Sequence, residues 1–132
     1  MKASTIAPNL DDIMAIATAA MATIPSGLAR MVDDVPIRVA DFPDDDVCLE
    51  MGLESPFDLL GLYSGVPFGE RESAGPPHQV DMIFLYRRPI LDYWCESGEA
   101  LDDIVRHVLI HEIGHHFGFS DEDMEALEAE AD

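Results

Sequence analysis

Basic residues are scarce in this chain: Lys and Arg number 7 among 132 residues, against 27 Asp and Glu, giving a formal net charge of −20. Nucleic-acid binding depends on Lys and Arg neutralising phosphates, and anionic membrane surfaces attract the same side chains. Neither nucleic acid nor a membrane is therefore expected as a partner, and encounters should favour neutral or cationic molecules. Cysteine is almost absent. Cys48 and Cys95 make no disulfide framework and lack C-x-x-C spacing, so they read as reduced thiols of a cytoplasmic protein. No apolar run approaches the ~20 residues of a membrane span. The weakly apolar stretch from Ile13 to Ile24 follows Asp11 and Asp12, where a secretory signal would carry basic residues. What is present suits one domain over residues 1–132: 48% apolar and 26% charged residues, enough for one modest core.

Hydrophobic spacing then places the elements. Asn9 followed by Asp12 reads as a capping box, and Leu10, Ile13, Met14, Ala17, Met21 and Ile24 recur at helical spacing until Pro25. Val35–Ala40 reads as a short strand. Residues 41–79 are dense in Pro, Gly and acids, and so long a connection in a small domain serves function or hides short helices. Within it Asp44, Asp45 and Asp46 lack calcium-loop spacing and read as a solvated acidic loop, and His78 as solvent-exposed. Phe57, Leu59, Leu60, Tyr63 and Phe68 fit a substrate site and core packing about equally. Residues 80–90 predict the best strand, with Val80, Met82, Phe84 and Tyr86 on its apolar face and Pro89 closing it. A second long helix is predicted from Glu99 to Phe117, stopped by Gly118. Ser120 with Asp123 makes another capping box, opening a short final helix through Met124 and Leu127.

Chemistry concentrates in HVLIHEIGHHFGFSD, residues 107–121. Residues four apart share a helix face, so His111 and His115 can offer two imidazoles to one metal ion. Catalytic zinc takes three protein ligands and leaves a fourth position to water, whose pKa falls to about 7. Glu112 is placed to take a proton from that water and return it to a leaving amine. Phe119 stands where a third imidazole one turn on would be needed, so the last ligand must come from beyond the helix. Gly118 can adopt positive φ and reverse the chain, which makes Asp121 the candidate, although an acid there would also suit the first turn of the final helix. His107 continues the stripe, but pairing it with His111 would put Val108 where the base belongs, so it reads as a helix-face or supporting residue. His116 points about 100° away from His115.

The segment HEIGHHFGFSDEDM fits the pattern HExxHxxGxxD and resembles the small bacterial zincin-like metallopeptidases, the minimal zincins. FDLLGLYSGVP and MIFLYRRPI are similar to recurring segments of that family. The resemblance implies an α+β, minimal zincin-like fold with a small mixed sheet packed against the active-site helix. It implies Zn2+ held by His111, His115 and Asp121, Glu112 as general base, and a peptide or protein substrate. It also implies that the strand nearest the helix, residues 80–87 here, takes the substrate backbone as an added strand. Metzincins carry a third His where Asp121 stands, and a methionine turn downstream; Met124 follows too soon to make that turn.

Two other readings share the metal scaffold. A metal-dependent ribonuclease with a similar HxxxHxxGxxH helix is disfavoured by the charge of −20 and by Asp121 in place of His. A non-catalytic, zinc-stabilised binding module would need no general base, and Glu112 argues against it. Tyr86, Tyr93 and His107 are candidates for a second electrophile.

Overall fold

A computed structural model describes residues 6–65 and 81–130. Among them are six helices and three strands, an α+β arrangement. Helix α1 spans Leu10–Met21, α2 Ser26–Arg30 and strand β1 Ile37–Ala40. Helix α3 covers Asp45–Met51, a 3-10 turn Pro56–Asp58, and β2 Gly61–Ser64. Strand β3, Met82–Tyr86, runs directly into α4, Arg87–Ser97, followed by α5, Leu101–His116, and α6, Asp121–Glu130.

The capping box at Asn9 is formed. Asn9 Oδ1 accepts from the Asp12 amide at 2.8 Å, and the Asp12 carboxylate accepts from the Asn9 amide at 2.9 Å. Two of the orphan amides at the helix start are thereby satisfied. Asn9→Ala is expected to lower stability by about 1 kcal/mol, read as a smaller unfolding free energy in a urea titration. Ile13 and Ala17 on this helix are fully buried and pack with the centre of α5.

The sheet is mixed, in the order β1-β3-β2. β3 pairs with β1 in parallel, Ile37 opposite Ile83, and with β2 antiparallel, Leu62 opposite Phe84. Its burial does not follow the expected alternation: Ile83 and Leu85 are fully buried and Tyr86 is buried with them, while Met82 and Phe84 are half-buried. A strand paired on both edges and covered by helices loses the clean alternation of a half-solvated one. The strand is also shorter than expected. Pro89 does not close it but lies in the first turn of α4, where its missing amide costs no helical hydrogen bond.

The segment 41–65 does hide short helices, α3 and the 3-10 turn, and it also carries a strand, β2, that was not expected. The acidic triplet is not a solvated loop. Asp44 caps α3 by accepting from the Val47 amide at 2.9 Å, and Asp45 and Asp46 occupy its first turn, favourable against the helix dipole. Gly52, at φ 65°, ends it. Phe68, His78 and Val80 lie outside the described residues.

Helix α5 is the spine of the core. Ile104, Val105, Leu109, Ile110 and Ile113 are at most 1% exposed, and each such buried side chain is worth about 1.5–3 kcal/mol against exposure. It packs on α1, β2, α4 and α6. With its apolar positions fixed on all these sides, its histidine stripe is fixed too. No described helix is long and apolar enough to cross a membrane.

Candidate metal centre

Helix α5 ends in a Schellman turn built on Gly118. The Gly118 amide donates to the His115 carbonyl at 3.1 Å, the Phe119 amide to the Gly114 carbonyl at 2.8 Å, and Gly118 sits at φ 83°. Only glycine takes that conformation without strain, and the reversal sends α6 back along α5. Ser120 caps α6 with Asp123, each bonding the other's amide at 3.1 Å. Asp121, the first residue of α6, therefore returns to the histidines.

His111, His115 and Asp121 form one group, with a ligand atom from each within 4.8 Å of the others. His115 Nε2 stands 3.6 Å from Asp121 Oδ1, and both side chains face solvent. Two imidazoles and a carboxylate, open on one side, are a donor set that suits zinc with a position left over.

Glu112 turns the other way on the helix, towards β2. Its carboxylate accepts from the Tyr63 backbone amide at 3.3 Å. Burial raises its pKa above the ordinary carboxylate value; the Tyr63 amide and the neighbouring His115 pull the other way. A carboxylate held near a metal position, with its proton affinity increased, is what a general base requires.

The strand beside the site is β2, not residues 80–87. β3 is central and has both edges taken by β1 and β2, so it has no free edge to offer an added strand. Among the described residues β2 pairs on one edge only, with β3; it faces α5 and points the Tyr63 amide out towards Glu112. It comes this close because Gly61 carries no side chain: a Cβ there would lie 2.6 Å from Val108 Cγ1 and 3.0 Å from the Phe84 carbonyl oxygen.

His116 is turned away from the stripe, as expected. Its ring stacks on Tyr63 with centroids 3.7 Å apart, and its Nε2 lies 3.9 Å from Asp81, which accepts from the Tyr63 hydroxyl at 3.1 Å. This contact ties α5 to β2 under the site. Of the candidate electrophiles, Tyr93 on α4 donates its hydroxyl to Glu99 at 2.8 Å. Tyr86 is buried, its pKa raised to about 12 by that burial first and then by Asp44, Cys48 and Glu112, so it stays a neutral hydroxyl.

One residue escapes the sequence reading altogether. Glu128, seven residues beyond Asp121 and so on the same face of α6, touches two histidines. Its carboxylate lies 3.0 Å from His107 Nδ1 and 3.0 Å from His111 Nε2. His107 and His111 stack with ring centroids 4.0 Å apart. The seven-residue spacing was visible; that α6 folds back along α5 was not.

A comparison with curated proteins finds no match. The family model described as zincin-like metallopeptidase matches residues 32–131, from just after α2 through α6. With the match covering most of the chain, the mixed sheet and the histidine helix in place, the chain belongs to the zincin-like metallopeptidase family.

Proposed function

We propose that this protein is a zinc-dependent peptidase acting on neutral or cationic peptide segments, as one zincin-like domain over residues 1–132. The observation that carries the reading is the grouping of His111, His115 and Asp121 beside the buried carboxylate of Glu112. His111, His115 and Asp121 are assigned as ligands. Zinc held there would supply Lewis acidity for activating a water, with its pKa lowered to about 7, and a peptide carbonyl.

Glu112 is assigned the proton transfers. As a carboxylate it accepts a proton from the attacking water, and as the acid it delivers that proton to the departing amine. Its raised proton affinity favours the first of these transfers. The Tyr63 amide holds the carboxylate in place at the helix edge. The other edge of β2 is assigned to the substrate, which would add as a strand through main-chain hydrogen bonds. Main-chain pairing reads few side chains, which fits an extended segment better than a folded protein. The charge of −20 supports peptides rather than nucleic acid, and Cys48 and Cys95, both free thiols, support a cytoplasmic setting.

The test is cleavage of an unstructured peptide library by the whole chain, read by mass spectrometry. Cleavage is expected with zinc, its loss after stripping with a chelator, and its return when one equivalent of zinc is added back. Cleavage that survives complete metal removal, or zinc-loaded protein that cuts nothing, would count against the reading.

A further inference from the structure

The histidine stripe of α5 is longer than one metal position needs. His107, His111 and His115 are spaced by four residues, and α6 runs back beside them with Asp121 opposite one end and Glu128 opposite the other. A second group of potential ligands results. His107, His111 and Glu128 each offer an atom within 4.8 Å of the other two. His111 belongs to both groups.

We propose that His107, His111 and Glu128 form a second position for a divalent ion of the Zn2+ and Co2+ class, competing for His111 with the position formed by His111, His115 and Asp121. This rests on the first position being the one proposed above. The donors are again two imidazoles and one carboxylate, which select the same borderline ions. The carboxylate is at 3.0 Å from both ring nitrogens, a few tenths of an ångström inside the roughly 3.3–3.6 Å between neighbouring ligands on a tetrahedral ion with bonds of about 2.0–2.2 Å, so the donors need only a small outward shift. Glu128 is held to that depth by its own backbone, because Arg106 donates to the Glu128 carbonyl at 3.1 Å. His107 is more than half exposed, which leaves the position an entry path from solvent.

Competition follows from imidazole chemistry. A neutral ring has one bare nitrogen and one N–H, so His111 ligates one ion at a time. An ion held by His107 and Glu128 is one helical turn from His115 and Asp121. It leaves Glu112 without the ion it serves. The second position therefore stores metal in an inactive arrangement, and the balance between the two sets the active fraction.

The experiment uses the whole chain, stripped of metal, in wild-type, Asp121→Asn and Asp121→Asn/Glu128→Gln forms. Asp121 is exposed, so its replacement leaves the fold intact; thermal unfolding of the stripped proteins checks this. Zinc per chain is measured by equilibrium dialysis, and the ring nitrogens of each histidine are followed by NMR as zinc is added. Asp121→Asn is expected to keep a zinc site that shifts His107 and His111, and the added Glu128→Gln to weaken that site at least about tenfold. Loss of all zinc in Asp121→Asn, or an unmoved His107 ring, or indifference to Glu128→Gln, would overturn the second position. In wild type the two proposals separate. Shifts at His115 without His107 in any form refute the second position alone, shifts at His107 without His115 support it while refuting the peptidase ligand set, and no shifts refute both.

Discussion

Glu112→Gln is expected to lower kcat/KM for a cleaved peptide by about 10²–10⁴-fold, the range that a positioned proton-transfer group supplies, while zinc stays bound. The substitution keeps size and shape. A Gln carbonyl still accepts from the Tyr63 amide, so the helix edge and β2 stay in register. What disappears is the ability to take and return a proton. The same variant carries a second, opposite signature in the metal-free protein. Burial raises the Glu112 pKa, so between its ordinary and its folded value the folded chain holds a proton that the unfolded chain has lost. Stability contributed by this group is complete below the unfolded pKa and is lost as pH rises through the folded one. At neutral pH the wild type bears the whole cost of a desolvated carboxylate, and the Gln variant bears none of it. Stripped Glu112→Gln should therefore melt higher than stripped wild type at pH 7, with the gap closing below about pH 4. A variant that loses activity and also melts lower at pH 7 would point to damaged structure instead of a missing base.

How far the sequence reaches depends on whether the deciding interaction is local. The Asn9 and Ser120 capping boxes, the Gly118 reversal and the span of α5 each rest on residues within a turn of one another, and each forms where its sequence signal lies. α3 had the same kind of local signal, an Asp cap and a Gly stop, but it was hidden by the surrounding acids and prolines. β2 had none. Gly61 and Gly65 flank Leu62, Tyr63 and Ser64 in a stretch that reads as a turn. It becomes a strand because β3 supplies its partner and Val108 leaves room only for glycine at 61. Its identity as an edge strand depends on strand order, which a single strand cannot reveal. Glu128 is the same case at the site. It lies 21 residues beyond His107 in the chain, and only the antiparallel packing of α6 on α5 brings the two together.

That packing rests on Gly114, and Gly114→Val is expected to lower stability by about 2–3 kcal/mol, a fall in melting temperature of roughly 10 °C. A Cβ at 114 would fall on Met124 Sδ and lie 2.8 Å from its Cγ. Met124 is fully buried in the core, so its side chain has nowhere to swing. Replacing a helical glycine recovers part of the loss through better helix propensity, worth a few tenths of a kcal/mol for valine. An added isopropyl group, its Cβ already on a fixed thioether, outweighs that. The helices relieve the overlap by moving apart, and α6 carries Asp121 with it. Zinc affinity should therefore fall together with stability, although residue 114 touches no ligand. The pair can be tested as a cycle. Met124→Ala alone opens a cavity at a cost of about 2–5 kcal/mol, and the double variant should cost less than the sum of the two single changes because the valine occupies the vacated space. Zinc affinity restored in the double variant would show that the Asp121 position is set by the distance between α5 and α6. Strictly additive losses would mean that the introduced valine is accommodated elsewhere and that Met124 does not hold the two helices in register.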